Sequence, residues 1–295
     1  MREYEFVTVD VFTERRFGGN PLAVFPDAQG LSDAEMQALT AEFNLSETTF
    51  VLPPRDPQHT ARVRIFNRTA ELPFAGHPNV GTGYVLAQQG RDANGVLRFE
   101  ELAGLVEVRI ERDGTAVRGA MIETPQPLSL GLTLAPATIA RCAGLSRDDV
   151  RTDTHPPTVA TVGNPFVLVE VSPAALARAI PDLAAFRSAI AGRPELKGRL
   201  SVYLYAREGS ATIRARLFAP LAGTLEDPAT GSAATPLAAL LLSLGTDQST
   251  AFDIIQGVEM GRPSLLHVTA RRTPDGIRAT VRGACVPVLH GKAMV

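Results

Sequence analysis

Glu47 stands where a charge is expensive. It lies in Asn44-Leu45-Ser46-Glu47-Thr48-Thr49-Phe50, at the head of a β-branched, apolar run that follows a helical segment. A carboxylate drawn into such surroundings loses hydration and its pKa rises, which is what a general acid/base needs near neutral pH. The other reading is a solvated strand edge from which Glu47 reaches back to cap something. Asp227 poses a similar choice, in Glu226-Asp227-Pro228-Ala229-Thr230-Gly231-Ser232. It is either a catalytic carboxylate or a turn-forming Asp-Pro. His77 and Ser232 each follow a glycine, Gly76 and Gly231, at the entrance to an apolar helical segment. A helix start exposes unpaired amides and the positive end of the macrodipole, and glycine lets a ligand approach the backbone. Two such ends would suit an anion, most simply a substrate carboxylate. The plainer reading makes His77 and Ser232 capping side chains and the glycines caps. Asn20 and Asn164, each in Gly-Asn-Pro, either hold a substrate or fix a turn.

Other chemistries lack their residues. No phosphate-binding loop, dinucleotide fingerprint, nucleophile elbow or H-E-x-x-H occurs. The histidines, His59, His77, His155, His267 and His290, are scattered, so no metal site is expected. Lys197 and Lys292 are the two lysines, which makes a Schiff base improbable. Cys142 and Cys285 cannot make a disulfide framework, and a reducing, cytoplasmic compartment is expected. The 29 basic and 31 acidic residues give a net charge of −2, with no electrostatic footprint for nucleic acid or an anionic membrane. No signal peptide is read at the N-terminus, and the apolar stretch 237–244 is too short to span a bilayer.

The elements that must carry these residues are mostly strands in the first 120 positions. Alternation predicts strands over 4–12, 22–25, 48–52 and 62–66. Ser32 with Glu35 in the capping-box position predicts a helix over 33–43, closed by Asn44. Further helices are predicted over 79–89, ended by Gly90, and over 233–244. Both are small and apolar around much of their circumference, as in a helix that a sheet wraps.

The chain repeats its punctuation. Gly19-Asn20-Pro21-Leu22 returns as Gly163-Asn164-Pro165-Phe166, and Arg62-Val63-Arg64-Ile65-Phe66 as Arg214-Ala215-Arg216-Leu217-Phe218. Glu71-Leu72-Pro73-Phe74-Ala75-Gly76-His77 returns as Glu226-Asp227-Pro228-Ala229-Thr230-Gly231-Ser232. Ordered matches at a slowly drifting offset indicate duplication, and a period this long means two domains rather than a solenoid. Glu71 and Glu226, being equivalent, are expected to share a structural role such as bonding loop amides. The expected fold is α+β, two similar domains from an internal duplication, each a sheet wrapped around a central helix. The boundary falls near Thr124-Pro125-Gln126-Pro127, giving an N-terminal domain over 1–122 and a C-terminal domain over 123–277.

Taken together with Asp10-Val11-Phe12, Leu72-Pro73-Phe74-Ala75-Gly76-His77-Pro78, Gln256-Gly257 and Gly261-Arg262-Pro263-Ser264, these blocks resemble the PhzF family of phenazine biosynthesis, from about residue 4 to the C-terminus. The resemblance implies the diaminopimelate epimerase-like fold, with an active site in the cleft between the domains and a last strand, 278–295, that completes the first domain. It implies a cofactor-independent isomerase of trans-2,3-dihydro-3-hydroxyanthranilate. The family's catalytic glutamate matches Glu47, its assisting residues match His77, Asp227 and Ser232, and Asn20, Gly76 and Gly231 fall in the substrate-binding blocks. Related racemases use two thiols just before the helix glycines. Here those positions hold Ala75 and Thr230, so two-thiol racemisation is not available. A homodimer acting on a small carboxylate is expected, with no nucleic-acid or membrane partner. Two alternatives stand beside it: an isomerase or epimerase of another small carboxylate or amino-acid derivative, and a non-catalytic small-ligand-binding protein.

Overall fold

A computed structural model describes residues 1–295. The chain forms two compact units, residues 1–125 with 281–295, and residues 126–280. Both mix strands with few helices. No helix is long and apolar enough to cross a membrane.

The first unit runs β1 (Glu3–Val11), β2 (Asn20–Phe25), α1 (Asp33–Phe43), β3 (Glu47–Leu52), β4 (Ala61–Asn67), β5 (Glu71–Leu72), α2 (Gly76–Gln88), β6 (Val96–Glu101), β7 (Gly104–Asp113) and β8 (Ala116–Glu123). The second runs β9 (Ser129–Thr133), α3 (Pro136–Cys142), β10 (Thr158–Thr161), β11 (Pro165–Glu170), α4 (Pro173–Arg178), α5 (Leu183–Ile190), β12 (Val202–Arg207), β13 (Thr212–Ala219), β14 (Thr224–Asp227), α6 (Gly231–Ser243), β15 (Ser249–Gln256) and β16 (Ser264–Thr273). The last strand, β17 (Gly276–Met294), begins in the second unit and from Val281 belongs to the first, where it pairs antiparallel with β1.

The pairings correspond step by step. In the first unit β2 lies parallel to β3, β3 antiparallel to β4, β4 antiparallel to β5 and parallel to β6, and β6 antiparallel to β7. In the second, β11 lies parallel to β12, β12 antiparallel to β13, β13 antiparallel to β14 and parallel to β15, and β15 antiparallel to β16.

In each unit strands surround one helix. Every residue of α2 from Gly76 to Ala87 is buried, against β1, β2, β3, β7 and β8. Small residues make this enclosure possible. A Cβ on Gly81 would fall 2.6 Å from Leu22 and 2.8 Å from Val11, and one on Gly83 would fall 2.6 Å from Val108. The alanines of α6 serve the same end against β10, β11, β15 and β16. Outside the first sheet, α1 covers Phe25, Phe50 and Phe66, with Phe25 and Phe50 stacked at 4.9 Å. Outside the second, α3, α4 and α5 share a core with Val167, Leu204 and Phe218.

The helix over 33–43 forms with both hydrogen bonds of its capping box, and Asn44 takes the left-handed φ of 52° that ends it. The two central helices begin earlier than the sequence pattern predicts, at Gly76 rather than 79 and at Gly231 rather than 233. Pro78 does not delay α2, because a first-turn residue has no helical acceptor for its N–H.

Glu71 and Glu226 do share a role, but their partners are guanidinium groups and not loop amides. Arg64 on β4 meets Glu71 on β5 with two hydrogen bonds, 2.7 and 2.6 Å, and Arg216 on β13 meets Glu226 on β14 with two of 2.8 Å. Each guanidinium also lies 5.0 Å over the ring of the phenylalanine two residues on, Phe66 or Phe218. Arg216 further donates to the carbonyls of Leu176 and Ala179 at the end of α4, both at 2.9 Å. Removing that guanidinium strands a half-buried carboxylate and two carbonyls. Arg216→Leu should therefore cost about 3 kcal/mol or more. Arg64→Leu should cost less, because that side chain is 17% exposed against 7% for Arg216. Urea denaturation of the two variants measures the order, and equal losses would contradict it.

Candidate active site

Thr49 fixes the site's first pair. Its hydroxyl meets that of Thr82 on α2 at 2.8 Å, so this face of β3 looks at the helix. Alternation puts Glu47 on the same face, about 6.6 Å nearer the start of the strand. His77 lies about 7.5 Å nearer the start of α2 than Thr82. Strand and helix thus deliver the two side chains to the same level, and His77 Nε2 comes within 3.5 Å of Glu47 Oε2. Asn20, fully buried at the start of β2, accepts a hydrogen bond from Ser46 Oγ at 3.1 Å and so steadies the residue before Glu47.

The electrostatics of this pair are set by burial. A carboxylate at 3.5 Å favours imidazolium, but His77 is enclosed, and desolvation holds its pKa down at about 3. His77 is therefore a neutral imidazole at neutral pH. Its Nε2 is buried with no hydrogen bond, and the contact to Glu47 is longer than one. Glu47 keeps 20% of its side chain exposed, so the carboxylate has a route to a solute.

The second unit assembles Asp227 and Thr230 around Gln256, just before Gly231 and Ser232 open α6. Asp227 ends β14 and is buried, and its Oδ2 accepts from Thr230 Oγ1. Gln256, at the end of β15, is fully buried. Its Nε2 donates to the Asp227 carbonyl at 2.8 Å and to Thr230 Oγ1 at 3.0 Å. Its Oε1 accepts from Thr230 N and from Tyr203 Oη, both at 3.1 Å. Ser232, half-buried, is the second residue of α6. Pro236 has no N–H to offer the Ser232 carbonyl, so the helical ladder is interrupted in the turn that carries Ser232.

The structure thus brings Glu47 and His77 together in one unit, and Asp227, Thr230 and Ser232 into one turn of the other. Neither α2 nor α6 carries a side-chain N-cap, since Ala75 has no polar group and the Thr230 hydroxyl is turned to Asp227. His77 and Ser232 are not caps; they lie inside their helices. The sequence pattern does not single out Gln256 and Thr230 as the frame of the second turn, nor Asn79, whose Nδ2 donates to the Ala75 carbonyl at 3.0 Å in the first. The available signal was a polar side chain at an inward position of an otherwise apolar strand or helix.

Residues 9–291 match the family described as phenazine biosynthesis-like protein, PhzC-PhzF. An uncharacterized isomerase of Mesorhizobium japonicum is 36% identical, covering all of both chains. The trans-2,3-dihydro-3-hydroxyanthranilate isomerase of Pseudomonas aeruginosa is also 36% identical, over 98% of this chain and 99% of its own. Among solved structures, a phenazine biosynthesis protein of the PhzF family from Bacillus anthracis has the same fold, with a TM-score of 0.88 over all of both chains at 23% identity. The chain belongs to the phenazine biosynthesis-like PhzC-PhzF family, and with it to a group of isomerases.

Burial of neutral His77 makes stability depend on acid in a definite direction. The imidazole binds a proton in the unfolded chain below about 6.5 but in the folded chain only near 3. Its contribution is present above pH 6.5 and is lost as pH falls toward 3. The His77 ring resonances should show no protonation between pH 8 and 5 by NMR. His77→Gln should flatten the loss of melting temperature across the same acid range. A ring that titrates near 6.5 would contradict the assignment.

Proposed function

We propose that the chain is a cofactor-independent isomerase in which Glu47 shifts a proton on a small conjugated carboxylate, trans-2,3-dihydro-3-hydroxyanthranilate in the first instance. The observation that carries the reading is a partly exposed carboxylate, Glu47, set 3.5 Å from a buried neutral imidazole at the start of an uncapped central helix. The substrate is suggested by the relatives that bear its name.

Glu47 as carboxylate takes a proton from a carbon beside an electron sink, and the electron pair passes into the conjugated system. The acid so formed returns the proton at another carbon of that system, so nothing enters or leaves and only the position of the hydrogen and the double bonds changes. Exclusion of bulk water keeps the proton from exchanging before its return. His77, whose neutral ring neither repels nor neutralises an approaching acid, steadies Glu47 in both protonation states. Asp227 and Ser232 position the substrate and help move protons, as the resemblance implies. The amides of Gly76 with His77, and of Gly231 with Ser232, bind its carboxylate, with Asn20 supporting the first group. The two units derive from a duplication, consistent with their matching strand pairings. The protein acts as a cytoplasmic homodimer, and light scattering tests its assembly.

A second reading keeps the chemistry and changes the substrate to another small carboxylate. It is favoured by the Mesorhizobium japonicum relative, which matches at the same identity over its full length and carries no named substrate.

Proton NMR of trans-2,3-dihydro-3-hydroxyanthranilate in D₂O, with the protein and with Glu47→Gln, decides between them. Conversion by the unaltered chain, lowered about 10³-fold or more in Glu47→Gln with ligand affinity kept, is the expected result. Full activity in the variant would overturn the role of Glu47. A folded protein that leaves this compound unchanged but isomerises another small carboxylate would establish the second reading.

A further inference from the structure

Glu101 is the last residue of β6, on the row that points into the core. Leu97 and Phe99, at alternate positions before it, are fully buried. Its two carboxyl oxygens are buried without a hydrogen-bond partner, and so is Oδ1 of Asn79 on α2. Asn79 is the one polar side chain that bears on the Glu101 carboxyl. The Asn79 amide is oriented by its Nδ2, which donates to the Ala75 carbonyl. Three buried acceptors without a hydrogen bond are costly as they stand, and one proton on Glu101 would pair two of them, a carboxyl oxygen with Asn79 Oδ1, against a smaller hydrogen-bonding effect of Asn79 that favours the ionised acid.

The second unit shows what the position is for. Arg62 on β4 pairs with Glu100 on β6, and Arg214 on β13 pairs with Ile255 on β15. Arg62 and Arg214 are the matched residues of the sequence repeat, so Glu101 occupies the position of Gln256. Gln256 is neutral, donates through Nε2 and accepts through Oε1, and ties down the turn that opens α6. A glutamate reproduces the donor-and-acceptor pattern of glutamine only as the uncharged acid.

We propose that Glu101 is held as a neutral carboxylic acid that donates its proton to Asn79 Oδ1. In this way it positions the start of α2 as Gln256 positions that of α6. Asn79 then holds the Ala75 carbonyl, and Ala75 is the residue before Gly76-His77. Glu101 is thus a positioning residue for His77, and its role in turnover rests on the function proposed above.

No opposing charge stabilises the ionised form. On β4, Arg62 faces Glu100 in register and acts on Asp33, while Arg64 is taken by Glu71 on β5. Glu100 itself turns to the amides of Arg55 and Asp56 and to His59. On α2 the titratable groups are His77, which is neutral, and Tyr84, whose phenol burial pushes up and so keeps uncharged. Burial accordingly moves the Glu101 carboxyl up from 4.5 to about 8, against a smaller opposing effect of Asn79. The unfolded chain loses this proton near 4.5 and the folded chain near 8, so stability falls as pH rises between the two and levels off above.

The test uses the full chain with ¹³C-labelled glutamate carboxyls, the Glu101 signal being assigned by its absence in Glu101→Gln. The expected midpoint lies near 8, and a midpoint in the ordinary glutamate range would overturn the proposal whatever the protein's substrate. Glu101→Gln, which keeps a donor, should flatten the fall of melting temperature between pH 5 and 8, and an unchanged slope would count against the proposal. In turnover, Glu101→Gln should keep its neutral-pH kcat and lose the decline above pH 8. Glu101→Leu, which cannot donate, should lower kcat about tenfold or more at every pH. Equal impairment of both variants would reduce Glu101 to a packing residue. Absence of turnover in every sample would count against the proposed substrate and leave the carboxyl titration to decide this point.

Discussion

Each unit is organised by enclosing a helix on all sides. An enclosed helix satisfies its own backbone along its length and has polar groups left over only at its ends. In α2 and α6 the side chains are small enough for strands to close around them, as the contacts at Gly81 and Gly83 show. The polar chemistry of each unit is therefore driven to the first helical turn, where unpaired amides point along the axis and the neighbouring strands end. Glu47, His77, Asn79 and Glu101 gather at one such turn, and Asp227, Thr230, Ser232 and Gln256 at the other. None of these residues would meet its neighbours if the helix lay on the sheet with one face in water.

The same enclosure decides protonation. A site with its back to a dry core holds few charges, and it does so by neutralising the groups that can be neutral. His77 gives up its proton although a carboxylate stands beside it, because desolvation outweighs an attraction acting across 3.5 Å. Where a full charge is kept in the structural frame, it is matched by geometry. Arg64 with Glu71 and Arg216 with Glu226 meet as paired forks, each capped by an aromatic ring. The frame is charged and paired, whereas the imidazole at the start of α2 is uncharged. A carboxylate that both loses and regains a proton, the role proposed for Glu47, is better served by a neutral neighbour than by a fixed counter-charge, which would hold it ionised.

Much of this was legible from local pattern. The capping box of Ser32 and Glu35 reads directly as a helix start, and Asn44 as its end, because those interactions lie within a few residues. Glu47 stood out because a charge interrupts a β-branched run. The starts of the central helices were less legible, since Gly76-His77-Pro78 has the composition of a turn and only the enclosing strands make it helical. Glu71 and Glu226 were recognised as equivalent, but their arginine partners lie on an adjacent strand, and composition carries no signal for that register. Glu100-Glu101 looks like the solvated end of a hairpin. That one of the two carboxyls is buried emerges only from the strand alternation together with the position of Asn79, a helix and a loop away.

Strand register also shows how the two units differ. Phe66 pairs with Thr48 and Phe218 with Val202, so the position of Glu47 is held in the second unit by Ser201. Likewise Ile65 pairs with Leu72 and Leu217 with Asp227, so Asp227 stands where the first unit has a leucine. His77 is matched by Ser232 and Glu101 by Gln256 in the aligned repeats. The first unit therefore carries two carboxyls and an imidazole at positions where the second has two hydroxyls and an amide. The second has one carboxylate of its own, and an oxygen of that one is occupied by Thr230. A racemising pair needs a competent base on each face of a carbon, and hydroxyls stand in the second unit where Glu47 and His77 stand in the first. The asymmetry suits the proposed reaction, in which one group removes a hydrogen and returns it from the same side. Of the matched positions, that of Glu47 in the first unit is the one that combines a partly exposed carboxylate with a neutral imidazole beside it, which is what the proposed proton transfer needs.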